Sequence, residues 1–174
     1  MQINVAELDW KDVKKYIYSP NGSLPDTYVL DTTRADWETW TNFVNATYRV
    51  IFRDAYEQEH EKIDFAAVLQ CWDKNETDGW PFASVFVGNI QVNCFFLAED
   101  AIDGDIDTKQ FEQANDHLGL MEYLTSLSKL LKKRVVLVEE GTRLEANNHF
   151  DPAPIIIVDH DIVVANAYWL DASK

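Results

Sequence analysis

The chain has 174 residues, 47% hydrophobic and 13% aromatic, which is material for one well-packed domain and excludes a disordered acidic tail. Fifteen basic residues face thirty acidic ones, a formal net charge of −15 at pH 7. A folded chain with this charge repels nucleic acid and anionic membranes and attracts basic partners at long range.

Residues 9–17 predict a short helix with Asp9 as its N-cap, ended by the turn cluster Pro20-Asn21-Gly22-Ser23. A short strand is expected at 27–30, and Trp37, Trp40 and Val44 recur at helical spacing, with Phe43 beside them, within a helix at 36–46. The alternation of Tyr48, Val50 and Phe52 leaves 47–53 open as a strand or a continuation of that helix. Residues 65–72 read as a helix closed by a polar turn at 73–79. Trp72 and Trp80 bracket that turn, so one of them is expected at the surface. The clearest local signal is a hairpin of 82–87 and 90–97 around Gly88-Asn89, a dipeptide that tolerates positive φ. It pairs Val87 with Ile90, Val85 with Val92 and Ala83 with Cys94, and its other face mixes Phe82, Phe86, Phe95 and Leu97 with Ser84, Gln91 and Asn93. One wholly apolar face places the hairpin near the middle of a sheet.

The stretch 99–116 then carries seven carboxylates against one lysine, and within it 99–107 reads as an exposed acidic loop. The strongest helix signal follows at 116–132, with a stripe of Leu120, Met121, Leu124, Leu127, Leu130 and Leu131. Asp116 stands at its positive end and Lys132-Lys133-Arg134 at its negative end. Strands are expected at 134–138, 154–158 and 162–165, the last two separated by Asp159-His160-Asp161. The order of elements predicts a single α+β domain over 1–174, with helices packed on a mainly antiparallel sheet. Its longest apolar run, P-I-I-I-V, is far short of the roughly 20 residues of a membrane helix. The N-terminus lacks the basic start and apolar block of a signal peptide, so cytoplasm is the expected compartment. Cys71 and Cys94 are accordingly expected as buried free thiols, and the sequons at Asn21, Asn45 and Asn75 carry no weight.

Catalytic signatures are weak throughout. Asp103-Gly104-Asp105-Ile106-Asp107 begins like a calcium loop, but Thr108 replaces the required Gly and Ala114 the required Glu, so no metal is expected. The histidines lack metal spacing, and Asp159-His160-Asp161 reads as a turn between apolar runs before it reads as an oriented imidazole. No nucleophile elbow and no glycine-rich phosphate loop is present, and no cofactor is implied. An enzyme is therefore not expected. The remaining alternatives to a binding protein are a small hydrolase using carboxylates and His160, and an acidic scaffold subunit.

The segment L-G-L-M-E-Y-L-T-S-L-S-K-L-L-K-K running into R-V-V-L-V-E-E, then P-I-I-I-V-D, resembles the immunity proteins of bacterial polymorphic-toxin and contact-dependent inhibition systems. The hairpin G-W-P-F-A-S-V-F-V-G-N-I-Q-V and the acidic composition belong to the same likeness, which covers about half the chain. The resemblance implies a cytoplasmic antidote that binds a cognate toxin domain and blocks its active site or substrate groove. Charge points the same way, because a nuclease-like toxin needs a basic groove that an acidic inhibitor would complement. The expected contact is the acidic stretch, through Glu99, Asp100, Asp103, Asp105 and Asp107. Residues 54–64, with Asp54, Glu57, Glu59, Glu61 and Asp64, are the next candidate surface.

Overall fold

The computed structural model describes residues 2–74 and 79–170. The first half contains β1 (Gln2–Asn4), α1 (Trp10–Tyr16), β2 (Asp26–Leu30), α2 (Arg34–Thr47), β3 (Arg49–Arg53), β4 (Glu59–His60) and α3 (Phe65–Lys74). The hairpin strands β5 (Phe82–Val87) and β6 (Ile90–Phe95) follow, then β7 (Ala101–Ile106), α4 (Ala114–Leu131) and β8 (Val135–Val138). The chain continues through β9 (Arg143–Glu145), β10 (His149–Asp151), β11 (Ile156–Asp159) and β12 (Ile162–Asn166).

Local chemistry sets the helix ends. Asp9 accepts the Lys11 N–H at 2.7 Å and starts α1. Thr33 and Asp36 form a reciprocal capping box, which begins α2 at Arg34, two residues before the expected start at 36. In α4, Asp116 accepts the N–H groups of Glu112 and Gln113, each at 3.0 Å, so the helix starts slightly earlier than expected. The open question at 47–53 is settled by Tyr48, whose extended backbone ends α2 and releases the alternating residues as β3.

Among the described residues, ten strands form one sheet in the order β1-β12-β11-β8-β2-β7-β6-β5-β3-β4, and every neighbouring pair is antiparallel. The β5–β6 hairpin lies inside it, in the register expected from the sequence. Among the described residues β9 and β10 pair only with each other. The α-helices α1 to α4 pack on one side, where they share a single core with Val29, Val85, Val92, Ile102, Ile106 and Leu137 of the sheet. Leu120, Leu124 and Leu127 of α4 are buried as expected, but Leu130 points off the stripe and is 39% exposed. Trp37 and Trp40 are fully buried and meet edge to face at 5.6 Å. The Trp40 indole donates to the Tyr123 hydroxyl at 3.1 Å, joining α2 to α4. Trp80 is half exposed, Trp72 is mostly covered, and Cys71 and Cys94 are buried and unpaired. Positions 75–78, which include the Asn75 sequon and most of the expected turn at 73–79, lie outside the described residues.

One expectation fails clearly. The acidic stretch is no exposed loop, because residues 101–106 form β7 in the middle of the sheet, between β2 and β6. Gly104 makes this approach possible: a Cβ there would stand 1.8 Å from the Asn93 carbonyl oxygen. Ile102 and Ile106 enter the core while Asp103 and Asp105 face the other way.

Candidate partner-binding face

A strand with one side in the core presents its alternate residues on the opposite side. The helices cover one side of the sheet, so the composition of the other side is fixed by that alternation. At one end, Val136, Val138 and Ile157 form a small second apolar cluster with Tyr28 and Leu30, capped by Phe150 from β10. Over β7, β6, β5 and β3 the side chains of this face are mostly half-buried.

The register sorts these residues into rows. In one row Tyr28 stands opposite Asp103, Asp103 opposite Phe95, Phe95 opposite Phe82, and Phe82 opposite Arg53. In the next, Asp26 faces Asp105, Asp105 faces Asn93, and Asn93 faces Ser84. A third pairs Gln91 with Phe86 and Phe86 with Arg49. The face therefore grades from carboxylates on β2 and β7, through phenylalanines on β5 and β6, to guanidinium groups on β3. Arg49 lies over the Phe86 ring at 3.4 Å, and Arg53 pairs with Glu59 at 2.8 Å.

The carboxylates are held by a polar chain. Asn93 donates to Asp105 at 2.7 Å, while its own oxygen accepts from Gln91 at 2.7 Å and from Ser84 at 3.0 Å. Like charges directly across an antiparallel pair repel, and Asp26 and Asp105 are such a pair. Partial burial and then the Asp105 charge push the Asp26 carboxyl up to about 6, with Glu140 and Asp103 adding to the rise against a hydrogen bond from Gly141. Partial burial, with a contribution from Asp100, likewise pushes Asp103 up to about 6. Clusters of this kind are destabilising when free and are neutralised by a cationic partner.

Of the five residues expected at the contact, only Asp103 and Asp105 come together on this face. Glu99 turns to α2, where its side chain pairs with Arg34 and its carbonyl accepts from Thr32 at 2.8 Å and Trp37 at 3.0 Å. Asp100 is exposed and its carbonyl accepts the Thr32 N–H at 3.0 Å. Asp107 folds back to cap a short turn, accepting the Lys109 N–H at 2.9 Å. Asp26 completes the cluster instead. Sequence reasoning missed it, because its place beside Asp105 is set by strand order and not by any local motif.

In the secondary surface at 54–64, Asp54 is built into a turn, while Glu57, Glu59, Glu61 and Asp64 are exposed. Asp54 accepts the N–H groups of Tyr56 and Gln58, at 2.9 and 3.0 Å, and meets His60 at 2.9 Å, and the His60 bond is the main cause holding its carboxyl below the usual range. Asp64 accepts the Ala67 N–H at 3.2 Å at the start of α3. His160 sits in a turn at φ 55° beside Asp159 at 2.8 Å, and its backbone N–H donates to Ser128 at 2.9 Å. Among the described residues, no group of three or more His, Cys, Asp or Glu is placed to hold a metal ion, and no helix is long and apolar enough to cross a membrane. No protein-family model matches the chain, and neither does any curated protein or solved structure.

Proposed function

We propose that this chain is a non-enzymatic, protein-binding inhibitor: a cytoplasmic immunity protein that neutralises a basic, nuclease-like toxin domain by covering its substrate groove. The observation that carries the reading is the sheet face opposite the helices, where Asp26, Asp103 and Asp105 stand beside Phe82 and Phe95 in a chain of net charge −15. A nucleic-acid groove is lined with cations arranged for phosphates. Carboxylates fixed on a rigid sheet offer those cations an alternative partner without the nucleic acid. Long-range attraction speeds the encounter, and the neighbouring aromatic rings supply the apolar anchors that slow dissociation. No catalysis, metal or cofactor takes part in this mode of action.

The test is a 1:1 titration of this chain into a basic nuclease toxin domain from any open reading frame adjoining its gene, with nuclease activity and affinity read across a salt series. Stoichiometric inhibition is expected, with affinity falling steeply as salt rises. The combined Asp26→Asn, Asp103→Asn and Asp105→Asn variant should bind more weakly and with a flatter salt dependence. Unchanged affinity and salt slope in that variant would remove this face from the contact. Failure to inhibit at all would remove the function.

A further inference from the structure

A second feature of the same sheet has a different chemistry. The β9–β10 hairpin folds over β2, β8 and β11, tied by an Asn148 side-chain bond to Asp31 at 2.8 Å and by Phe150 against Tyr28, with ring centroids 5.5 Å apart. Beneath it opens a cleft of about 520 Å³. That volume lies within the roughly 300–1,000 Å³ usual for small-molecule sites. Its floor and walls are apolar, from Tyr28, Leu30, Val136, Phe150 and Ile157. Its rim carries three consecutive cations, Lys132, Lys133 and Arg134, against two carboxylates, Asp31 and Asp159. In a chain with twice as many acids as bases, this is a local reversal of sign.

The rim charges are not equally engaged. Asp31 already accepts from Asn148, and Lys133 donates to the Asp31 carbonyl at 2.9 Å. Asp159 is bonded to His160 and lies 3.4 Å from Arg134. The Lys132 ammonium has no hydrogen-bond or ion-pair partner among the described residues, whereas its backbone N–H donates to the Ser128 carbonyl. It also holds a left-handed backbone, φ 55°, at the end of α4, a position where glycine is strongly preferred. An unpaired cation is thus kept at the mouth of an apolar cleft, in a conformation its own backbone disfavours.

We propose that this cleft binds a free amphipathic carboxylate, a small acid with an aromatic or aliphatic body, whose apolar part lies on Val136 and Ile157 under Phe150 and whose carboxylate meets Lys132 at the rim. The partial neutralisation of Lys133 and Arg134 favours a monoanion over a phosphate or other dianion. Aromatic walls from Tyr28 and Phe150 favour a planar body.

The test uses the whole chain and naphthylacetate, with its neutral amide as control, followed by calorimetry and two-dimensional NMR. Saturable 1:1 binding of the acid is expected, with shifts centred on Tyr28, Val136, Phe150 and Ile157. The amide, which lacks the charge, should bind about tenfold more weakly. Lys132→Gly should weaken the acid about three- to tenfold and leave the amide unchanged, whereas Lys132→Arg should retain binding. In Lys132→Gly the relief of the left-handed backbone opposes the loss of a helix-terminal cation, so its melting temperature should stay within about 3 °C of the parent. Absence of saturable binding at millimolar acid, equal affinity for the amide, an unaffected Lys132→Gly, or shifts centred elsewhere would each overturn the proposal. So would capture of a peptide through its terminal carboxylate without affinity for the free acid, which would assign the cleft to a polypeptide end.

Discussion

Replacing Asp26 and Asp103 together by Asn should make the isolated chain more stable at neutral pH, although both side chains are partly buried and tied into a polar face. Each carboxyl ionises near pH 6 in the fold against 3.8 ordinarily. Below pH 3.8 both groups are protonated in the folded and unfolded chain alike, and neither contributes a difference. Between 3.8 and about 6 the folded chain keeps protons that the unfolded chain has released, so stability falls as pH rises. Above that window the penalty is complete and constant. At face value it is about 3 kcal/mol per group, taking 1.36 kcal/mol per decade. Both side chains are partly exposed to water, which screens the interaction, and the Asp103 charge itself adds to the rise of Asp26, so the two contributions do not simply add. About 1 kcal/mol each, and between 1 and 2 kcal/mol for the pair, is the working figure.

Asn keeps an acceptor oxygen for the Gly141 N–H and removes the charge, so the substitution isolates the electrostatic part. Chemical denaturation of both chains at about pH 7.5 and about pH 3.5 measures it, with the gap expected at the higher pH and closed at the lower. The melting temperature at neutral pH should rise by about 2–6 °C. His117 titrates in the opposite sense, because its buried imidazole is pushed down to about 4, but it is common to both chains and cancels in the difference. A double variant less stable than the parent at neutral pH, or a gap that persists in acid, would refute this account of the face.

Leu124→Ala, at a fully buried position of α4, should lose about 2–5 kcal/mol in denaturant melts, and a loss below about 0.5 would place the helix face wrongly. Tyr123→Phe strands the buried Trp40 indole N–H and should cost about 1–3 kcal/mol, with a change in tryptophan fluorescence. Gly104→Ala drives a methyl group into the Asn93 carbonyl and should cost about 3 kcal/mol or more, seen as loss of hydrogen-exchange protection in β6 and β7. Acidification from pH 6.5 to about 4 should destabilise the chain through His117, because the unfolded imidazole takes a proton the buried one refuses; His117→Gln should flatten that part of the stability profile.

Where sequence signals were local, they were sufficient. Gly88-Asn89 fixes the β5–β6 turn, and alternation on either side fixes its register down to the Ala83–Cys94 pair. The leucines of α4 give its buried face, with Leu130 misplaced because a run of adjacent leucines blurs a 3.6-residue period. Short elements escaped: β1 and β10 have three residues each, too few for any period to declare itself. The site was legible only in half. Asp103 and Asp105 stand out by charge, whereas Asp26 joins them only because β2 lies beside β7 in the sheet.

β7 is the instructive miss. The sequence A-I-D-G-D-I-D does alternate: Ile102, Gly104 and Ile106 face the helices, and Asp103 and Asp105 face away. What hid the period is composition, since aspartate and glycine are the residues strands disfavour. A strand built from them in the interior of a sheet is held by its neighbours and not by its own preference. Thr or Val at 103 and 105 would suit the backbone better, relieve the repulsion across to Asp26, and lower the burial penalty. Local propensity, cross-strand electrostatics and desolvation thus all oppose the residues found there, and nothing in the packing of the core asks for them. Several independent penalties converge on a few side chains while folding gains nothing in return, which is the pattern that the proposed recognition of a cationic partner would balance. The carboxylates of β2 and β7 meet that description, and the paired or capping acids Glu99, Asp54 and Asp107 do not.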